Sequence, residues 1–273
     1  MNLLERMTVA IRHAPGLENA DWIWSRVRPL YDRALRASFT ECGLERVING
    51  TDRILLSPAS RGFVAQSYEP EVWQRIMREV RAGDVIAEVG ANIGIYTLAF
   101  ANRVRAQGRV FAFEPDPESA AALAANVAIS PYRHRVTIRE QAVGAAAGRA
   151  SFAAGRGMES RIGFSGEARD GSVEVPVVAL DDEFAGARID ILKIDVEGFE
   201  EPVLSGARRL LADRERRPRA ILVEVHPFAW AAVGTTSEAI LEVLREYRYR
   251  VESLDGAPVK RITEYGHVFA IAD

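Results

Sequence analysis

The chain has 273 residues, 48% hydrophobic and 27% charged, with a formal net charge of -3, an ordinary globular composition that gives no basis for long disorder. It lacks a block of one charge sign, and the mixed Arg-rich stretch at residues 214–219 is too short for the basic patch of a nucleic-acid binder, so no nucleic acid is expected. Cys42 is the only cysteine, which excludes an internal disulfide framework and four-cysteine zinc sites; with no apolar run of ~18 residues and the first twenty residues interrupted by Glu5, Arg6, Arg12 and His13, a cytoplasmic protein without a transmembrane segment is expected.

Residues 1–60 read as an N-terminal helical extension and residues 61–273 as the main domain. Ile23, Val27, Leu30 and Ala34, with Trp24, Tyr31 and Leu35 beside them, recur at helical spacing, and Pro29 kinks or restarts that helix. The aromatic stripe is read as packing on its own domain, and residues 22–31 are the first candidate for a homodimer contact. From Gly83 onward strands and helices alternate. Val85–Val89 reads as a strand, 93–104 as a helix, Arg109–Phe113 as a second strand, 118–128 as an alanine-rich helix and Val136–Arg139 as a third strand. Residues 145–171 read as an irregular insertion. A fourth strand follows at 189–194, then a helix with Val203, Leu204, Ala207, Leu210 and Leu211 on one face, a fifth strand at Ala220–Val225 and a helix at Ser237–Glu246. Strands at 249–253 and 268–271 have no helix between them and should pair antiparallel. The result is a Rossmann-like α/β fold, a mostly parallel seven-stranded sheet with a closing antiparallel strand and helices on both faces.

In such a sheet ligands lie beyond the carboxyl ends of the strands. The first strand ends in Glu88-Val89-Gly90-Ala91-Asn92-Ile93-Gly94. Gly90 permits a tight turn and close approach of a ligand to the backbone, and Gly94 lets the next helix pack near the strand with its N-terminal amides free for a polar group. The spacing Gly-x-x-x-Gly omits the middle glycine of the dinucleotide fingerprint, which a pyrophosphate needs and an amino-acid tail does not. Glu88 suits a ligand with an ammonium group, and Glu114, ending the second strand in Phe113-Glu114-Pro115, can accept hydrogen bonds from two ribose hydroxyls.

The stretch from Gly83 to Gly94 resembles the first motif of the FkbM-type methyltransferase family, and Phe113-Glu114-Pro115 resembles its second. Lys193-Ile194-Asp195-Val196-Glu197-Gly198-Phe199-Glu200, followed by Val203-Leu204-Ser205-Gly206-Ala207, resembles its most distinctive block; Leu180-Asp181-Asp182 and Glu224-Val225-His226 also fit. The resemblance runs from about Tyr68 to His226. It implies a class I methyltransferase fold, S-adenosylmethionine as cofactor, and O-methylation of a small-molecule or glycan acceptor. It also implies that Glu88, Gly90, Asn92 and Gly94 surround the methionine part and that Glu114 holds the ribose. The loop after the third strand then supplies the adenine pocket through Gln141 and Ala142, unless Gln141 is a surface residue.

Methyl transfer to a hydroxyl needs alignment and removal of one proton. His226 is the first candidate base, with Glu224 on the same strand face; the alternative is a histidine bonded to a backbone carbonyl. Asp195 can orient a base, accept a proton or contact the donor's amino group. Glu197 is either catalytic or a cap of the following helix. Lys193 is expected to pair with Glu224 or Glu197. Asp195, Glu197 and His226 together could hold a hard divalent ion, but the set is too common to assign one, and no metal is assigned. His267 and Tyr265 are secondary acceptor-site candidates, and His134 should lie on the opposite edge. Two other readings use the same sheet: an NAD-dependent oxidoreductase, disfavoured by the missing glycine and by Glu88, and a non-catalytic adenosylmethionine-binding module.

Overall fold

The computed structural model describes residues 43–58, 60, 67–153, 162–163 and 172–273. The aromatic stripe at residues 22–31 and the helices expected around it lie outside the described residues. The chain divides into two units between Leu44 and Glu45, and the second carries the sheet.

Residues 44–56 are strands, which corrects the helical reading of that stretch: β1 (Leu44–Ile48) and β2 (Asp52–Leu56) form a two-stranded sheet. The reason is the Asn49-Gly50 pair between them, both at positive φ, with Thr51 N–H donating to Ile48 O at 3.0 Å. Such a pair favours a tight hairpin turn. The structure then adds a helix not anticipated from the sequence, α1 (Pro70–Glu79). It opens on a proline and buries Val72, Trp73, Ile76 and Met77.

The alternating part follows as β3 (Val85–Val89), α2 (Ile95–Arg103), β4 (Arg109–Phe113), α3 (Pro117–Ile129) and β5 (Val136–Arg139). Next come β6 (Ala142–Val143), β7 (Gly148–Ala153), β8 (Ile162–Gly163), β9 (Ser172–Val178) and the short α4 (Leu180–Glu183). The last third holds β10 (Ile191–Ile194), α5 (Glu200–Ser205), α6 (Arg208–Ala212), β11 (Ala220–Val225), α7 (Pro227–Trp230), α8 (Ser237–Glu246), β12 (Tyr249–Glu252) and β13 (Gly266–Ala272).

Seven strands form the main sheet in the order β12-β13-β11-β10-β3-β4-β5. Neighbours from β11 to β5 are parallel, and β13 runs antiparallel to both β11 and β12. Alternate residues face opposite sides. Ile86, Val110, Ile191, Leu222 and Phe269 pack under α1, α2 and α3; Ala87, Leu192, Ile194, Ile221 and Val223 pack under α5, α6 and α8. This is the class I methyltransferase arrangement expected from the sequence.

Two expectations are corrected. Residues 145–171 are not wholly irregular, because β7 pairs antiparallel with β9 in a separate four-stranded sheet, β6-β9-β7-β8. The alternation of Val173, Val175 and Val177 supplies its buried face. The face running from Val203 to Leu211 belongs to two helices, with a break at Gly206-Ala207. There the chain passes so close to Gly144 that a Cβ on Gly206 would meet the Gly144 carbonyl oxygen at 2.0 Å.

Two buried polar groups fasten the chain before α1 to the helices α1, α2 and α3. Asp52 accepts from Trp73 Nε1 at 2.8 Å and from Arg103 Nε and Nη2 at 2.7 and 2.9 Å. Asn126 on α3 accepts from Ser57 N–H at 2.7 Å and donates to Ser60 Oγ at 3.0 Å and Ile93 O at 2.8 Å. Replacing it leaves a buried donor and acceptor unmet. Asn126→Ala is therefore expected to lower unfolding stability by about 2–4 kcal/mol, measured by urea denaturation. A loss below about 0.5 kcal/mol would show that Asn126 does not carry this junction.

Candidate active site

Parallel strands end their carbonyl groups at one edge of the sheet, and the antiparallel β13 brings its first residues to that edge. Glu224 is in register with His267, and Glu88 with Lys193. The loops at this edge enclose a cavity lined by residues from β3, β4, β10 and β11, together with Tyr68, Glu69, Gln141, Ala142 and Tyr265.

Glu88, Gly90, Asn92, Glu114, Gln141 and Ala142 line one side of it. Glu88 is buried, and Thr97 Oγ1 donates to its Oε2 at 2.5 Å. Burial pushes the Glu88 carboxyl up to about 7, against the opposing pull of Lys193 and the Thr97 hydrogen bond. Glu114 accepts from Asn92 N–H at 2.7 Å and Asp116 N–H at 2.8 Å; burial lifts its carboxyl to about 7 as well, despite those two amides. Asn92 holds φ 50, a conformation open to asparagine, which aims its amide at Glu114.

Gly90 makes the turn that its sequence context requires, with φ 83, but the close approach is to the protein's own backbone. A Cβ there would stand 1.7 Å from the Asp195 carbonyl oxygen. Gly90 also lines the cavity. A Cβ on Gly94, which holds φ 90, would meet Leu123 Cδ1 at 2.4 Å, so α3 packs closely on the start of α2.

The opposite side is carboxylate-rich. Lys193 pairs with Asp195 at 3.1 Å rather than with Glu224 or Glu197, and its ammonium lies 4.8 Å from the centre of the Tyr96 ring. Burial opposes the Lys193 charge, but Asp195, Glu88 and Glu224 outweigh it and hold the lysine above its usual range. Burial pushes the Asp195 carboxyl up, with Lys193 opposing. Glu224 is buried too, yet the His267 hydrogen bond, Lys193 and the Tyr265 hydroxyl overcome burial and hold its carboxyl down at about 2. Tyr265 OH donates to Glu224 Oε1, and His267 Nε2 lies 3.3 Å from Glu224 Oε2 and 3.9 Å from Glu69 Oε2.

His226 does not line the cavity; its side chain is 2% exposed. It stands one layer behind Glu197 and Glu224, with Nε2 at 3.5 and 3.7 Å from them and Nδ1 at 2.8 Å from Glu200 Oε1. Its partner is thus a carboxylate, not a backbone carbonyl. Burial would lower the imidazole, but Glu200, Glu197 and Asp195 raise it above the ordinary range. Glu197, at φ 51, brings its carboxylate Oε2 to 3.5 Å from this ring. Among the described residues two sets, Glu69/Glu224/His267 and Asp195/Glu197/His226, bring ligand atoms within 4.8 Å of one another. In each set the histidine already has a carboxylate partner. His134 lies before β5, at the far edge of the sheet.

Sequence reasoning missed three contributors. Tyr68 and Glu69 line the cavity, and Glu69 accepts from Tyr96 OH at 2.8 Å. Glu200 was readable only as an acid in the first turn of a helix, because its partners His226 and Trp230 lie 26 and 30 residues further on.

Residues 88–251 match the Methyltransferase FkbM domain family. The chain belongs to that family. It is an S-adenosylmethionine-dependent methyltransferase, and this sets the oxidoreductase reading aside. Over 183 residues it is 37% identical to 31-O-demethyl-FK506 methyltransferase FkbM of Streptomyces tacrolimicus, covering 54% of this chain and 67% of that protein. Over 190 residues it is 25% identical to hexuronic acid methyltransferase AglP of Haloferax volcanii, covering 67% and 71%. An S-adenosylmethionine-dependent O-methyltransferase structure from Thermotoga maritima superposes with a TM-score of 0.44 at 18% identity, over 76% of this chain and 65% of that one. The strand order, not this superposition, defines the fold. Among the described residues no helix is long and apolar enough to cross a membrane.

In this FkbM-family chain Gly90 joins the two sides of the cavity. Its contact is backbone against backbone, so no rotamer change can relieve it. Gly90→Ala is expected to cost about 3 kcal/mol or more of stability and to lower donor affinity; a variant with wild-type melting temperature and donor binding would refute the close-approach argument.

Proposed function

We propose that this methyltransferase transfers its methyl group to a hydroxyl oxygen of an uncharged or cationic small molecule or glycan, with Glu197 receiving the proton. The observation that carries this reading is the division of one cavity into a side with two buried carboxyls raised by burial, Glu88 and Glu114, and a side walled by Asp195, Glu197 and Glu224. The name of the first relative, which acts at an oxygen position, supports oxygen as the acceptor atom; the hexuronic acid in the name of the second is a glycan acid, so the charge preference rests on the carboxylate wall alone.

The donor fits the first side by its chemistry. Glu88 suits the ammonium of the methionine part, with Gly90, Asn92 and Gly94 forming the turn around it. Each Glu114 oxygen holds one backbone amide and keeps a lone pair for a ribose hydroxyl. Gln141 and Ala142, which line the cavity beside Glu114, are assigned to the adenine. Bound there, the donor supplies an electrophilic methyl group whose C–S electron pair stays on sulfur. The acceptor oxygen forms the new C–O bond and releases its proton to Glu197. Asp195, tied to Lys193, orients the acceptor. His226 backs the carboxylate wall instead of touching the acceptor, which changes the role given to it from sequence. An anionic acceptor would face Glu69, Asp195, Glu197 and Glu224 across a low-dielectric gap, where like charges repel by several kcal/mol at ~4 Å.

Calorimetry tests the donor half. S-adenosylhomocysteine is expected to bind with micromolar affinity and NAD not at all, and Glu114→Ala should weaken binding by at least ~100-fold (about 2.7 kcal/mol). Binding of NAD in place of S-adenosylhomocysteine would overturn the assignment. Because Glu88 titrates near 7 and pairs with an ammonium only when ionised, affinity should rise as pH goes from 5.5 to 8, by up to about tenfold per unit below 7. In Glu88→Gln it should be weaker and flatter. A wild-type affinity unchanged over that range would remove Glu88 from the site. Labelled methyl donor offered with neutral methyl hexopyranosides and with the matching uronates tests the acceptor half: the neutral sugars should be turned over faster, and preference for the uronates would contradict the charge argument.

A further inference from the structure

The Glu200 carboxylate is fully buried and lies outside the cavity wall. Its Oε1 accepts from Gly198 N–H at 3.0 Å and faces His226 Nδ1 at 2.8 Å, while Oε2 accepts from Trp230 Nε1 at 2.8 Å. Both oxygens are therefore committed, and the carboxylate has no freedom to rotate. A carboxylate held in this way fixes the proton of an imidazole on the nitrogen facing it, here Nδ1, and leaves Nε2 directed at what lies beyond. Beyond it are Glu197 and Glu224.

We propose that Glu200 is a positioning residue for methyl transfer: it holds His226 as an imidazolium whose Nε2–H faces Glu197 and Glu224, giving the proton-accepting carboxylate a buried counter-charge. The inference rests on the assignment of Glu197 above. Its physical basis is a charge count. Asp195, Glu197, Glu200 and Glu224 crowd around one ring, and carboxylates that close cannot all remain ionised without cations between them. Lys193 serves Asp195 at 3.1 Å, and the Tyr265 hydroxyl and His267 serve Glu224. The His226 ring reaches Glu197 through Nε2, which lies 3.5 Å from Glu197 Oε2. Phe228 and Tyr265 pack against the ring at 5.7 and 5.4 Å between centroids and limit its rotation. The raised imidazole of His226 agrees with this arrangement.

Two substitutions separate charge from packing. Glu200→Gln keeps the shape and removes the charge; Glu200→Asp keeps the charge and shortens the side chain. Nitrogen-15 histidine spectra of the full chain, titrated from pH 5 to 10, report the His226 ring. In the wild type it should stay doubly protonated above the ordinary range; in Glu200→Gln its titration should move down by one pH unit or more; in Glu200→Asp it should stay near the wild-type position. Transfer to the methyl hexopyranoside turned over fastest should show an alkaline limb that moves with the same titration, with kcat reduced about tenfold in Glu200→Gln and partly restored in Glu200→Asp. Binding of S-adenosylhomocysteine should change less than threefold in both, which also certifies the fold. An unshifted His226 titration in Glu200→Gln, or a shifted titration with an unmoved rate profile, would overturn the proposal. So would a larger kcat loss in Glu200→Asp than in Glu200→Gln, since packing alone would then account for the residue. If no hexopyranoside is turned over by the wild type, the acceptor reading fails, while the ring titration still decides the coupling of Glu200 to His226.

Discussion

A buried ammonium sits at the middle of the main sheet. Lys193 emerges from the middle strand of the sheet in register with Glu88, touches Asp195, and feels Glu224 from the next strand. The chain's lysines are Lys193 and Lys260, and every other long cationic side chain is arginine. A compact point charge is what the position needs: a guanidinium fork demands several planar acceptors, whereas an ammonium can be shared among carboxylates on three strands. Desolvating a charge this deeply is costly unless partners surround it. Here they do, and the same cation is held in common by the side of the cavity that suits the donor and the side that suits the acceptor.

The backbone reinforces this arrangement. Asp195 N–H donates to Val89 O at 2.9 Å, just before Gly90 passes the Asp195 carbonyl at a distance that a methyl group would close. The ends of β3 and β10 are thereby locked together, and the groups they carry have little freedom to drift. The Gly-x-x-x-Gly spacing thus reflects two constraints internal to the protein, strand against strand at Gly90 and helix against helix at Gly94, in addition to any imposed by a ligand.

Much of the fold was legible because its strands are short β-branched or aromatic runs bounded by Gly, Asp or Pro. Val85–Val89, Arg109–Phe113, Val136–Arg139 and Ala220–Val225 have the limits that the sequence suggests. The hairpin around Asn49-Gly50 carried a turn signal that the neighbouring helical periodicity obscured. The strand at Gly148–Ala153 offers small residues in place of apolar alternation and gains its identity only from pairing with Ser172–Val178. At the site, residues next to glycines at strand ends announced themselves, since position along a parallel strand fixes which edge they reach. Depth did not: nothing local distinguishes His226, behind the wall, from Glu224, on it. Glu200 was hidden for a related reason, since its meaning comes from a tryptophan and a histidine brought to it by another strand and helix.

The reversed direction of β13 has a practical side. Its first residues, Gly266 and His267, stand at the cavity edge beside Glu224 and Val225, whereas Ala272 pairs with Tyr249 and Asp273 N–H donates to Arg248 O at the far edge. Seven residues carry the chain from the chemistry to the opposite side of the sheet. A spectroscopic label carried on Ala272 would therefore report from the edge of the sheet opposite the cavity.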